Sequence, residues 1–267
     1  MKIQAKKSLG QNFLKSEAAL SAIVECSDLS LESVALEIGP GTGILTEKIL
    51  NTGAKVIAIE KDDRLIELLT EKFQSFVNKD KFTLIHADIM DIDINGLLSG
   101  QGATDFKLVA NIPYYLTGAI MRKFIDENLA SSMTLLVQDE VAKRVVKRDD
   151  KESLLSLSVE SYGKAKYVKK VLAGSFVPAP KVDSAIIYIK KDDISKFKNK
   201  NEREMFFRLI HAGFSHKRKT LLHNLKINSE EYWPEIIKVF ENLNLDPKIR
   251  AEDVHIDSWM KIVRAIL

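Results

Sequence analysis

A chain of 267 residues, 45% of them hydrophobic and 29% charged, is long enough to bury a full core and carry a smaller second domain. Its net charge of +3 makes no case by itself for a nucleic-acid partner. No apolar run approaches the roughly 20 residues that cross a bilayer, and the start, Met1-Lys2-Ile3-Gln4-Ala5-Lys6-Lys7, lacks the apolar stretch of a secretory signal, so a cytoplasmic protein is expected. The single cysteine, Cys26, excludes an internal disulfide and reads as a small buried apolar residue on an early helix. The five histidines show no ligand spacing, and no metal is expected.

In chain order, the first two-thirds alternate short β-branched apolar runs with longer amphipathic segments, which predicts an α/β sheet. Strands are expected at Val34 to Ile38, Lys55 to Ile59, Phe82 to His86, Lys107 to Ala110, Met133 to Gln138 and Ala185 to Ile189, with a weaker signal at Tyr167 to Leu172. Helical patterns lie between them at Leu45 to Leu50, Asp63 to Phe76, Thr117 to Asn128, Glu140 to Lys147 and Leu154 to Tyr162. The polar run from Lys190 to Lys196 reads as a linker. Beyond it only helical periodicity continues: Arg203 to Leu225, Glu230 to Leu243 and Ser258 to Ile266. Two domains follow, 1–193 and 194–267. Residues 195–267 hold 14 Lys and Arg against 10 Asp and Glu, whereas the rest of the chain holds 26 against 27, so the excess positive charge belongs to the helical part.

The first motif that carries chemistry is Glu37-Ile38-Gly39-Pro40-Gly41-Thr42-Gly43, where a strand gives way to a helix. Glycines there let the backbone turn sharply and approach a ligand, with the helix N-terminus behind. A dinucleotide fingerprint needs a third glycine three residues after Gly41, and that position is Ile44. The E-x-G-x-G-x-G form resembles instead the S-adenosylmethionine loop of Rossmann-like methyltransferases. The next two strands each end on an acid. Glu60 can accept hydrogen bonds from both ribose hydroxyls of a nucleoside, and Asp88 from an adenine amino group.

Asn111-Ile112-Pro113-Tyr114 follows the next strand. The amino lone pair of adenine is delocalised into the ring, so the amine must be turned toward an electrophilic methyl by acceptors on its N–H bonds. The Asn111 side-chain oxygen and the carbonyl of Ile112 or Pro113 can supply them, and Tyr114 can stack on the base. A sulfonium is a strong leaving group, so orientation and electrostatics should dominate and no general base of shifted pKa is required.

Along nearly its whole length the chain resembles the bacterial small-subunit ribosomal RNA adenine dimethyltransferase family of the kasugamycin-sensitivity type. The matching stretches are Gly10-Gln11-Asn12-Phe13-Leu14, the glycine loop, Glu60, Asp88, Asn111 to Tyr114, Phe176 to Ala185 and Phe214-Ser215-His216-Lys217-Arg218-Lys219-Thr220-Leu221. The resemblance implies a class I methyltransferase sheet with helices on both faces and a small all-α C-terminal domain. It further implies that Asn12 and Leu14 cover bound S-adenosylmethionine, that Gly39 and the loop with Gly41 line its methionine side, and that Phe176 stacks on the target adenine opposite Tyr114. Relatives often show Tyr-Gly-x-Leu-Ser where this chain has Leu154-Leu155-Ser156-Leu157-Ser158, so a continuous helix is expected there.

The implied product is N6,N6-dimethyladenosine at two adjacent adenosines in a loop near the 3′ end of small-subunit ribosomal RNA. The implied partner is that RNA within an immature subunit, met by a monomeric enzyme. Lys217, Arg218 and Lys219 are the candidate RNA contacts, since clustered cations neutralise phosphates and displace counterions. Two alternatives stay open: a large-subunit adenine dimethylase of the macrolide-resistance type, and an assembly factor whose catalysis is dispensable.

Overall fold

The computed structural model describes residues 5–6, 9–103, 105–147 and 151–267. These fall into two compact units, one drawn from 1–142 and 165–191, the other from 143–164 and 192–267.

The first part of the chain runs through β1 (Phe13–Leu14), α1 (Glu17–Cys26), β2 (Val34–Ile38), α2 (Ile44–Asn51), β3 (Lys55–Glu60), α3 (Asp63–Val77), β4 (Phe82–His86) and α4 (Ile94–Gly100). It continues through β5 (Lys107–Asn111), α5 (Thr117–Asp126), β6 (Ser132–Gln138), α6 (Asp139–Val145), α7 (Leu154–Tyr162), β7 (Gly163–Val171), β8 (Phe176–Val177) and β9 (Ser184–Lys191). Seven strands form one sheet in the order β4-β3-β2-β5-β6-β9-β7. The five from β4 to β6 are parallel, and β9 runs antiparallel to β6, pairing Ser132 with Lys190 and Gln138 with Ser184.

Parallel strands covered on both faces need apolar side chains throughout, which is why β2, β3 and β5 read as continuous apolar runs. Leu36, Val56, Ile57, Ala58, Leu108 and Val109 are all fully buried. The order reverses at β2: the chain moves outward to β3 and β4, then returns to β5 on the other side. The carboxyl ends of β2 and β5 therefore flank a crevice, the place where such sheets bind ligands. Helix α3 holds this region from below through Leu65, Leu69 and Phe73, which share a core with Val56 and Phe82. A Cβ at Gly43 would stand 2.6 Å from the Phe73 ring, so a side chain there would drive α3 from the loop.

The second unit contains α7 with α8 (Lys200–Gly213), α9 (Leu221–Asn228), α10 (Trp233–Asn242) and α11 (Ile256–Ile266). Its core centres on Trp259, Phe206, Ile210 and Ile236, none of them exposed. Glu202 on α8 is buried and accepts hydrogen bonds from Arg264 Nε at 2.6 Å and the Lys198 N–H at 2.5 Å. Helix α7 packs on α8 and α11, and the Glu152 N–H donates to the Glu252 carbonyl at 2.8 Å. A single cut near residue 193 leaves that segment with the sheet, whereas its buried face belongs with the helices. Helix α7 is continuous, as expected, with Ser153 and Ser156 closing a reciprocal cap at its start.

Other expectations shift in detail. The periodic stretch from Arg203 to Leu225 is two helices with a loop, 214–220, between them. Gly213 ends the first because any Cβ there would strike Trp259 at 2.3 Å, and Thr220 begins the second by accepting the His223 N–H. The apolar pattern carries across the gap because both helices present one face to the same core. The 3-10 turn Glu230–Tyr232 precedes α10, so that helix starts at Trp233 with a proline in its first turn. Cys26 ends α1 as expected but is half-buried; its environment raises the thiol pKa, chiefly through partial burial. Among the described residues no helix is long and apolar enough to cross a membrane.

Candidate active site

At the head of β2, Gly39 and Gly41 adopt φ of +67° and +59°, a region that disfavours any side chain. The Gly39 N–H donates to the Ile59 carbonyl at 2.9 Å, which ties the loop to β3. A Cβ on Gly39 would meet nothing within 4 Å, because the residue faces open space. That space is a cavity of about 1100 Å³, continuous with solvent.

Glu60 borders it from the end of β3. Its Oε2 accepts the Gly41 N–H at 3.1 Å and its Oε1 the Asp62 N–H at 2.8 Å, so the carboxylate holds the loop in place while keeping lone pairs for a ligand. Burial raises its pKa above the usual carboxylate value. Asp88, after β4, also borders the cavity. It accepts the Met90 N–H at 2.9 Å and forms an ion pair with Lys61, whose hydrogen bond lowers the Asp88 pKa.

The opposite wall comes from distant parts of the chain. Strands β1 and β8 pair antiparallel, Phe13 with Val177 and Leu14 with Phe176, and this puts Asn12, Leu14 and Phe176 on one cavity. Phe176 is buried, and the strand alternation turns Val177 outward, where it is exposed. Asn111 ends β5, and its Nδ2 donates to the Asn12 carbonyl at 3.2 Å. With the amide nitrogen committed, Oδ1 is the atom left for a substrate. Tyr114 lies in the 3-10 turn Tyr114–Leu116, and its hydroxyl is 2.7 Å from Ser184 Oγ, which tethers the ring to the head of β9. The Pro113 carbonyl closes that turn by accepting the Leu116 N–H at 2.9 Å. Of the two carbonyls expected to meet the amine, Pro113's is thus engaged, and Ile112's is the better placed acceptor.

The cavity accordingly gathers Asn12, Leu14, Gly39, Gly41, Glu60, Asp88, Asn111, Pro113, Tyr114 and Phe176. Lys217, Arg218 and Lys219 belong to the second unit, where all three are exposed on the loop between α8 and α9. That loop is held from beneath: Asn224 Nδ2 donates to the Gly213 and His216 carbonyls, and Asn228 Nδ2 to Ser215 Oγ at 3.1 Å.

Several participants carried no sequence signal. Gln11 Nε2 donates to Asp62 Oδ2 at 2.8 Å and Lys6 pairs with the same carboxylate, which anchors the segment bearing Asn12 to the start of α3. Arg64, the strongest partner, holds Asp62 well below the usual carboxylate range. Asp62 is legible as a helix cap, but its second role depends on contacts remote in sequence. Lys61 and the exposed Tyr115 also border the cavity. Among the described residues no group of three or more His, Cys, Asp or Glu is arranged to hold a metal ion.

Comparison with known proteins agrees with this geometry. A curated relative from Dehalococcoides mccartyi, named Ribosomal RNA small subunit methyltransferase A, is 41% identical over 261 residues, covering 97% of this chain and 88% of its own. A relative of the same name from Clostridium botulinum is 37% identical, covering 96% and 92%. Among solved structures, a dimethyladenosine transferase from Plasmodium falciparum superposes with a TM-score of 0.77 at 25% identity, over 94% of this chain and 95% of that one. The 23S rRNA methyltransferase ErmE shares the fold, with a TM-score of 0.72 at 21% identity over 96% and 99%. The model of the family described as ribosomal RNA adenine dimethylase matches residues 2–266, and with the glycine loop, the strand-end acids and the Asn111 turn meeting at one cavity, the chain belongs to that family.

Proposed function

We propose that this chain transfers methyl groups from S-adenosylmethionine to N6 of two adjacent adenosines near the 3′ end of small-subunit ribosomal RNA, giving N6,N6-dimethyladenosine. The observation that carries the reading is the Asn111 amide, fixed through Asn12 so that its oxygen faces a cavity also bordered by Tyr114 and Phe176.

The residues suit the cofactor. Gly39 opens onto space a Cβ would invade, Glu60 offers a buried carboxylate for ribose hydroxyls, and Asp88 an ionised one for the adenine amine. Bound S-adenosylmethionine supplies an electrophilic methyl on a neutral leaving group. The protein's part is orientation. Asn111 Oδ1 and the Ile112 carbonyl accept the two N–H bonds of the target amine, which aims its lone pair and stabilises the positive charge that develops on nitrogen. After one transfer a single N–H remains, and one acceptor suffices. Tyr114, tethered to Ser184, and Phe176 hold the base between two faces. The spent proton leaves through solvent, because the nitrogen is acidic once alkylated.

The names of the curated relatives support the small subunit as substrate. Adenine N6 in an RNA duplex lies in a deep, narrow groove, so the target is an unpaired or flipped base. Lys217, Arg218 and Lys219 supply phosphate contacts on an immature subunit, to a monomeric cytoplasmic enzyme. The test is to incubate the protein with undermodified small subunits and map the methylated positions. Two adjacent dimethyladenosines near the 3′ end are expected; modification confined to large-subunit RNA would overturn the assignment.

A further inference from the structure

The cavity is bordered by three acids, and only two have their oxygens engaged. Glu60 receives the Gly41 and Asp62 N–H groups, and Asp88 receives Met90 and Lys61. The third, Glu37, opens the glycine motif at the end of β2. It is 1% exposed, and its Oε2 is buried without a hydrogen-bond partner. An orphaned buried carboxylate oxygen costs free energy, and a protein keeps one where a ligand completes it.

Its surroundings favour a neutral acid in the empty protein. The residues in register on either side are Ala58 on β3 and Val109 on β5, both apolar. The Thr46 hydroxyl on α2 lies beside it, yet Thr46 Oγ1 is itself without a completed hydrogen bond. Glu60 adds like charge. The cation nearest in influence, Lys72 on α3, is bound to Glu47 and to the Thr42 and Gly43 carbonyls. Burial accordingly pushes the Glu37 carboxyl up to about 8. Lys61 and Asp88, the remaining charged groups that border the cavity, are paired with each other.

We propose that Glu37 is the counter-ion of the cofactor's α-ammonium group, and that it releases a proton to solvent when that ammonium binds. The O–H bond of the acid breaks, water or buffer takes the proton, and the carboxylate accepts an N–H of the ammonium. The amino-acid end is the matching end because Glu37 stands two residues before Gly39, which opens onto the cavity. This inference rests on the cofactor reading of the cavity given above.

Calorimetry of the full chain in two buffers of different ionisation enthalpy counts protons released per ligand bound. With S-adenosylhomocysteine at pH 7, wild type should release roughly 0.9 proton more than Glu37→Gln, since an acid of that pKa is mostly protonated there. Exchange by the ligand's own amine is common to both proteins and cancels. Wild-type affinity relative to the variant should rise by nearly tenfold from pH 6 to pH 7. S-adenosylmethionine should give the same excess, and 5′-methylthioadenosine, which lacks the amino acid, none. Equal proton counts in the two proteins, or an excess that persists with 5′-methylthioadenosine, overturn the proposal. An excess with S-adenosylmethionine alone would transfer the role to the sulfonium and overturn the ammonium assignment.

A second measurement needs no variant: the infrared difference spectrum of wild type labelled with ¹³C at glutamate carboxyls should lose a protonated-acid carbonyl band when S-adenosylhomocysteine is added. An unchanged band overturns the proposal. Absence of any binding to wild type sinks the cofactor reading as well, and is distinct from binding without proton release.

Discussion

Asn111 and Lys217 both follow the end of an apolar element, yet they inhabit different physical regimes. Asn111 is half-buried, its amide nitrogen tied to a carbonyl from the far side of the cavity. Lys217 stands in solvent on a loop whose backbone, not its side chains, is held by Asn224 and Asn228. The first arrangement works by geometry, where an error of an ångström is costly and salt matters little. The second works by charge, where position is forgiving and ionic strength decides the affinity. One region supplies the chemistry and the other supplies contact with a polyanion.

The largest expected effect breaks the geometric side. Asn111→Ala removes the acceptor that turns the amine, and methyl transfer should fall by about 10²–10³-fold, the usual cost of one oriented polar group in a preorganised site. Cofactor affinity measured by calorimetry should change far less. Near-normal turnover in a folded Asn111→Ala protein would remove Asn111 from the chemistry.

Glu60→Gln comes next. It retains shape but loses charge, so S-adenosylmethionine binding should weaken by about 1.5–3 kcal/mol, or roughly 10- to 100-fold, with a thermal melt to confirm folding. Unchanged affinity would place the ribose elsewhere.

Neutralising Lys217, Arg218 and Lys219 together tests the other side. The slope of log affinity for undermodified small subunits against log salt should shallow by about 2 to 3, while cofactor binding stays as it was. Identical slopes would move the RNA surface to another part of the chain. The smallest effect sharpens the geometric side again. Tyr114→Phe keeps the ring but loses the tether to Ser184, and should cost about 0.5–1.5 kcal/mol in kcat/KM for the RNA. A loss as large as that of Asn111→Ala would give the hydroxyl a chemical role.

Much of the first region is legible in sequence because its parts are local. The runs at Val34–Ile38 and Phe82–His86 announce buried strands, and the glycines and acids follow them directly. The pairing of Phe13–Leu14 with Phe176–Val177 is not legible, since two residues cannot display a period of two and their partners are remote. The same holds for Gln11 on Asp62 and for Lys61 on Asp88, each a contact between side chains that local pattern treats as ordinary surface charge. In the second region, Arg203 to Leu225 reads as one helix because its apolar positions stay in phase. The break appears only when Trp259 is seen to occupy the space beside Gly213.

The pairing of β1 with β8 also bears on how the enzyme comes into being. The glycine loop, Glu60, Asp88 and Asn111 all belong to the first five strands, so a growing chain has the floor of the site early. The wall with Phe176 waits until β8 emerges and closes against residues laid down near the start. That closure spans most of the first unit's chain, a contact that is slow to form because the loop entropy must be overcome first. Cofactor affinity and base binding should therefore be acquired at different times on the ribosome that makes this protein, the second only after the two ends of its first unit have met.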